Sequence, residues 1–297
     1  MPSGRKNKDE NKISSSNQFA GRRKKTKKKK GALRFFKAIL LTLLFIFIIA
    51  GAGTLALVYS YVKDIPDFNP GAFRPPVTSY IYDQHKQEIA NLYDEENRIE
   101  ISIEKLPDYV KNSFIAIEDE RFYDHLGVDP TAIARAFLIN LRQRKWTEQG
   151  GSTITQQLIK NTFLTSEKTL RRKIQEAWLA LKMERQYSKS EILEMYLNQI
   201  YFAHGAYGIE AAADLFFQKN ADELTLAEAA LLAGIPRSPN YYSPFINFEL
   251  SKQRQELVLS KMHDLGFINH REKQEALEQE IILAEPPSRE YPYPHFI

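Results

Sequence analysis

Thr225-Leu226-Ala227-Glu228-Ala229-Ala230-Leu231-Leu232-Ala233-Gly234-Ile235-Pro236 carries every signal of a helix in one stretch. Thr225 and Glu228 stand three apart as a capping box, apolar residues follow at helical spacing, and Gly234 with Pro236 punctuates the end. Ser188-Lys189-Ser190-Glu191 repeats the device upstream, and Leu250 to Leu265 forms a further amphipathic helix closed by Gly266. From Pro107 onward the pattern is helical throughout. Before it lie two strand-like pieces: Val77 to Tyr82, rich in β-branched and aromatic residues, and Arg98-Ile99-Glu100-Ile101-Ser102-Ile103, which alternates with period two. The expected fold is mainly α, with a short β-strand pair at its N-terminal edge. No internal repeat at a fixed period is present.

Charge divides the chain. Residues 1 to 37 hold 14 Lys/Arg against Asp9 and Glu10, a balance of +12, while the remaining 27 basic and 35 acidic groups leave −8. The basic charge therefore belongs to a tail, and the run from Arg22 to Lys30 could bind nucleic acid by phosphate neutralisation alone. Its position argues against that. Ala38 to Val62 follows immediately, twenty-five residues without a charge, long enough to span hydrocarbon. The basic flank predicts a cytoplasmic tail and an extracytoplasmic body by the positive-inside bias. A cleaved secretory signal, with Ala50-Gly51-Ala52 as its small-residue site, is the competing reading, but the apolar run continues well past that site. The expected division is a basic tail (1–37), a transmembrane anchor (38–62), a proline-rich stalk (63–76), a catalytic domain (77–246), C-terminal helices (247–283) and a Pro-rich linker (284–297). The absence of cysteine excludes a disulfide framework.

Three segments could carry chemistry. Ile117-Glu118-Asp119-Glu120 ends a helix whose apolar face is Val110, Phe114 and Ile117, so its carboxylates sit at the unfavourable end of the helix dipole. Solvation alone is the usual fate of such groups. His125 reads as a structural, hydrogen-bonding histidine, with no metal-ligand cluster around it. Gln149-Gly150-Gly151-Ser152-Thr153-Ile154-Thr155-Gln156-Gln157-Leu158-Ile159-Lys160-Asn161 is a glycine pair opening a hydroxyl-capped helix, whose N–H groups and dipole suit an anion such as a diphosphate. Ser152, Gln156 and Lys160 recur at i, i+4, i+8 and are expected on one face; an ordinary capped surface helix has the same spacing. From about Thr169 to Arg185, Leu170, Ile174, Trp178 and Leu181 form one apolar stripe, with Lys168, Arg172 and Glu176 roughly opposite and Leu179 and Met183 beside Glu176. A helix apolar on two sides is buried or lines a cleft, and a carboxylate left there needs a partner or a job. Arg172, four residues away, is the candidate partner.

Together these segments resemble the peptidoglycan glycosyltransferases, family 51 of the glycosyltransferases, which occur as the N-terminal catalytic half of class A penicillin-binding proteins and as stand-alone enzymes. The resemblance covers roughly Phe68 to Pro244 and rests on Ile117-Glu118-Asp119-Glu120-Arg121-Phe122 with His125 and Gly127; Gly151 to Gln157; Arg172-Lys173-Ile174-Gln175-Glu176-Ala177; Tyr196-Leu197-Asn198-Gln199-Ile200-Tyr201-Phe202; and Ala233-Gly234-Ile235-Pro236, in family order. It implies a lysozyme-like fold whose cleft opens toward the bilayer, and lipid II, held by its undecaprenyl diphosphate, as substrate. It implies Glu118 as general base and Glu176 as second acid. It further implies substrate binding by Asp119, Ser152, Thr153, Gln156, Gln157, Lys160, Lys168, Arg172 and Asn198; at Lys168 many members have arginine, whose bidentate geometry a lysine loses. The partners implied are lipid II and the growing glycan strand, the bacterial membrane and the wall-synthesis machinery, with no nucleic acid. Ser60-Tyr61-Val62-Lys63 and Ser3-Gly4-Arg5-Lys6 fit Ser-x-x-Lys, but lie at the membrane boundary and in the basic tail, and no Lys-Thr-Gly occurs, so no transpeptidase site is expected here.

The implied chemistry fits the inventory. A sugar hydroxyl is a poor nucleophile at neutral pH and needs a positioned base. A diphosphate leaves readily and wants cationic stabilisation or a metal ion, so a divalent cation, Mg or Mn, is the one cofactor expected. Direct displacement would invert an α-linked donor to a β-1,4 glycan. Two other classes compete: a lytic hydrolase on the same fold, which would need an exposed glycan groove, and a non-catalytic membrane scaffold, which would have lost an acid.

Overall fold

The computed structural model describes residues 23–63, 65, 79–82, 88–92, 97–143, 151–164 and 169–286, with side chains at all of these except 23–33 and 79–98. The chain divides into two compact units, Met1–Asp64 and Ile65–Ile297.

Among its described residues the first unit is one helix, α1 (Arg23–Val62). Within its part from Arg34 to Val62, the most apolar 18-residue window has a mean hydropathy of 2.5, with no residue of that window buried. The polar side chains within this span turn inward: Thr42, Thr54 and Ser60 donate to Ala38 O, Ala50 O and Leu57 O at 2.8–2.9 Å. Such back-bonding satisfies these three hydroxyls in an apolar surrounding. One helix is thus long and apolar enough to cross a membrane.

Among its described residues the second unit is mainly helical, with two small strand pairings. β1 (Ser79–Tyr82) and β2 (Glu88–Leu92) run antiparallel, and β3 (Asn97–Arg98) pairs in parallel with β4 (Ala206–Tyr207). The helices are α2 (Asp108–Glu118), α3 (Pro130–Gln143), α4 (Ile154–Phe163), α5 (Leu170–Met183), α6 (Lys189–Gln199), α7 (Ile209–Phe217), α8 (Leu226–Gly234), α9 (Pro239–Tyr242), α10 (Phe248–Asp264) and α11 (His270–Glu278). Both anticipated capping boxes are formed: Ser188 starts α6 and Thr225 starts α8. In α8 every residue from Ala227 to Gly234 is buried. Its alanines and terminal glycine let α2 and α10 approach closely on either side, which makes it the central helix of the core.

Two expectations are corrected. The period-two run Arg98 to Ile103 contributes only its first residue to a strand; the anticipated partner of Val77–Tyr82 is instead β2. Ile101 lies outside any strand and Ile103 opens a turn, both bonded by side chains of α6. Asn198 Oδ1 accepts from Ile101 N and its Nδ2 donates to Ile101 O, both at 2.9 Å, while Glu194 Oε2 accepts from Ile103 N at 2.8 Å. Alternation here records a chain lying half-buried on a helix. In α5 the buried side is Glu176, Leu179, Ala180 and Met183, while Leu170, Trp178 and Leu181 of the apolar stripe are exposed. The stalk and the linker beyond residue 286 lie largely outside the described residues, as does the tail before residue 23.

Candidate active site

Glu118 is the last residue of α2, and the chain then turns at Asp119, with φ −157° and ψ 72°. This turn sends the two carboxylates apart. Asp119 points inward, 7% exposed, and both its oxygens lie within 3.0 Å of His125 Nε2. Gly127 N donates to His125 Nδ1 at 3.1 Å, so Nδ1 is the acceptor and the ring proton sits on Nε2, donated to Asp119. His125 is thereby structural, as its turn position suggested. Gly127, at φ 87°, brings its backbone against Ala180 O, where a Cβ would lie 2.7 Å away, and its carbonyl accepts from Thr153 Oγ1 at 2.6 Å.

The start of α4 is consequently not open to a ligand in the way its sequence suggested. Ile154 N donates to Asp119 Oδ2 at 3.0 Å, and Thr153 forms a reciprocal capping box with Gln156. The anion at this helix terminus is Asp119 itself. Ser152 precedes the helix and Gln156 is 1% exposed inside the cap, so Ser152, Gln156 and Lys160 do not share a face. The residue one place further on takes that direction: Gln157 Nε2 donates to Glu118 Oε2 at 2.8 Å, and Lys160, one turn along, is exposed with its charge acting on the same carboxylate.

Glu118 is thus a partly exposed but strongly desolvated carboxylate. Burial raises its pKa, opposed first by the Gln157 hydrogen bond and then by the charges of Arg254, Arg237 and Lys160; the net direction is upward from the ordinary value of 4.5. It opens into a cavity of about 280 Å³ whose wall includes Ser152, Arg135, Arg237, Arg254 and Lys261. Glu120 bridges that wall, paired with Arg135 of α3 and with Lys261 of α10, the latter at 3.2 Å.

A second acidic centre adjoins it through Ser152. Lys173 Nζ donates to Ser152 Oγ at 2.6 Å and to Glu176 Oε2 at 2.8 Å, and Arg172 Nε lies 3.0 Å from Glu176 Oε1. Glu176 is 2% exposed and holds two cations, one of them the anticipated Arg172. Asn198 stands apart, its amide occupied by Ile101, and Lys168 lies outside the described residues. Five cavity or network residues were not singled out from the sequence: Arg135, Lys173, Arg237, Arg254 and Lys261. Arg254 left a signal, since it occurs in phase with the buried Val258 and Met262 of an amphipathic helix, where a cation is out of place.

No group of three His, Asp or Glu able to hold a metal is present among the described residues. Glu176 already faces two cations and Glu118 takes a donor from Gln157, so this donor set does not fit a protein-held divalent ion.

The family model described as Transglycosylase matches residues 85–263. The chain belongs to this family. It carries the family's glycosyltransferase domain, with Glu118, Gln157, Glu176 and Arg254 all inside the matched span. Penicillin-binding protein 1A/1B of Bacillus subtilis (strain 168) is 46% identical over 248 residues, 83% of this chain and 27% of that protein. Penicillin-binding protein 1A of Aquifex aeolicus (strain VF5) is 44% identical over 248 residues, 83% of this chain and 34% of that protein. The chain thus spans about a third or less of these relatives' length. The crystal structure of penicillin-binding protein 1A from Haemophilus influenzae aligns with 71% of this chain and 22% of that chain, at 24% identity and a TM-score of 0.43.

Proposed function

We propose that this glycosyltransferase domain polymerises lipid II into β-1,4 glycan strands, releasing undecaprenyl diphosphate, with Glu118 as general base. The observation that carries the reading is a desolvated carboxylate with raised pKa at the mouth of a cavity, with Lys160 acting on that carboxylate and the Arg172–Lys173 pair tied to the cavity wall through Ser152. A base whose pKa lies nearer the working pH takes a proton more readily, while cations suit a diphosphate leaving group. In the proposed step the acceptor 4-hydroxyl attacks C1 of the donor from the face opposite the diphosphate. Its proton passes to Glu118, the C1–O bond to the diphosphate breaks, and the α-linked donor becomes a β-linked product.

Lys160, Arg172 and Lys173 are the cations we assign to the donor diphosphate, with Ser152 alongside. Glu176 anchors Arg172 and Lys173 from beneath, so its proposed role is to hold those cations in place. Asp119, Thr153 and Gln156 support the site from behind, Gln157 presents Glu118, and Asn198 braces the Ile101 segment away from the site. A Mg or Mn ion, if used, would ride on the substrate's own diphosphate oxygens.

The membrane side of the proposal rests on α1 and on exposed apolar side chains. Ile133, Leu138 and Leu141 of α3, whose other side lines the cavity, and Leu170 and Trp178 of α5 are exposed. Apolar surface beside a cavity that takes a lipid-linked substrate supports a cleft facing the outer leaflet, with the basic tail cytoplasmic. The test is incubation of the full chain with lipid II in detergent. Glycan polymer with released undecaprenyl diphosphate is expected; cleavage of preformed glycan, or no product, would replace this reading with the lytic or scaffold one.

A further inference from the structure

Arg254 is the side chain of the cavity wall that no motif assigned and that the fold treats most unusually. It sits mid-way along α10, 8% exposed, and no carboxylate lies within ion-pairing distance of it among the described residues. Its Nε is buried without a hydrogen-bond acceptor. Nearby it finds the Tyr242 ring, 5.7 Å from Cζ to centroid, and Arg237, a like charge. A buried cation without a counter-ion is costly and persists where something else is gained.

The helix beneath is shaped to accept it. Gly234 closes α8, and a Cβ there would meet Arg254 Cγ at 2.7 Å and Cβ at 3.3 Å, so the arginine stem lies where any larger residue would stand. That packing directs the guanidinium into the cavity that also contains Glu118.

We propose that Arg254 is a positioning residue that acts through Glu118, an unneutralised cation seated on Gly234 and Tyr242 and aimed into the shared cavity, where it keeps the base carboxylate in its proton-accepting form. The inference rests on the reading of Glu118 as base. The charged and titratable groups that share the cavity with Glu118 or act on it are Glu120, Arg121 and Asp129 beyond α2, Arg135 of α3, Lys160 of α4, Tyr196 of α6, Arg237 after α8, and Arg254 and Lys261 of α10, while the neighbouring Asp119 turns inward to His125. Among the cations that act on the carboxylate, Arg254 has the largest influence. Lys160 and Arg237 are exposed and screened by water, whereas Arg254 is not.

The test is the pH profile of lipid II polymerisation by the full chain in detergent, for Arg254→Met, Arg254→Lys and Gly234→Ala. Removing a cation beside a carboxylate raises its proton affinity, so the acid limb of Arg254→Met should move to higher pH. Its rate should fall about tenfold on the acid side and by no more than about threefold on the alkaline plateau. Arg254→Lys should keep the limb near its original position, and Gly234→Ala should move it in the same direction as Arg254→Met. If Arg254→Met does not fold, Arg254→Gln replaces it. A loss uniform across pH, or a raised KM with an unmoved limb, overturns the inference, since a structural or substrate-contacting arginine behaves that way. An active Glu118→Gln enzyme would remove the base reading itself; an inactive Glu118→Gln together with an unmoved Arg254→Met limb would remove this inference alone.

Discussion

Glu118→Gln separates rate from stability at the centre of the proposed mechanism. The amide keeps the shape of the carboxyl group and its place opposite Gln157, but it cannot take a proton. If Glu118 is the base, turnover falls by about 10² to 10⁴, or about 3 to 5 kcal/mol of barrier. The stability effect has the opposite sign. Because burial raises the folded pKa above 4.5, the folded protein keeps its proton over a window just above that value in which the unfolded chain has lost it. The stability contributed by the protonated group is fully present below the unfolded pKa and is lost as pH rises through the folded one. Glutamine does not titrate, so the melting temperature of the variant relative to the parent should rise between pH 4 and neutrality and be equal or higher at neutrality. The measurements are polymer formation from lipid II and thermal unfolding at several pH values, both in detergent. A variant that melts lower at neutral pH and loses activity only in proportion to unfolded protein would refute the reasoning, as would a folded variant with near-parental turnover.

Three further perturbations address the surrounding residues. Asn198→Ala removes two 2.9 Å bonds to the half-buried Ile101 backbone and should cost about 2 to 3 kcal/mol of unfolding free energy with little change in the KM of the folded fraction. A parental urea midpoint with raised KM would return Asn198 to the substrate. Lys160→Ala should weaken lipid II use by about tenfold to a hundredfold, the scale of one lost charge-assisted hydrogen bond, without lowering the melting temperature, because Lys160 is exposed and outside the core. Unchanged kcat/KM would take it out of the diphosphate wall. Glu176→Gln leaves Arg172 and Lys173 facing a neutral, 2%-exposed amide and should cost roughly 1 to 3 kcal/mol of stability, moderated because Lys173 is 43% exposed. A variant of unaltered stability would argue against Glu176 as the anchor of those cations.

How much of this was legible in the sequence follows from the range over which each interaction acts. The capping boxes at Ser188 and Thr225, the Arg172–Glu176 pair, the apolar span ending at Val62 and the placing of Glu118 at a helix end all depend on residues within a turn or two of one another. Spacing alone therefore determined them. Which glutamine reaches Glu118 did not follow from spacing: Gln156 and Gln157 are adjacent, and the choice fell to Asp119, 35 residues before Ile154, which docks α4 and turns Gln156 into the cap and Gln157 outward. Asn198 likewise read as part of a motif until α6 was laid against Ile101, 97 residues earlier. Arg254 gained its role only when α10 crossed the glycine at the end of α8. Local hydrogen bonds are selected by short periodicities that a sequence displays directly, whereas a side chain's partner across the core depends on how rigid helices stack, and that is decided by close packing over the whole unit.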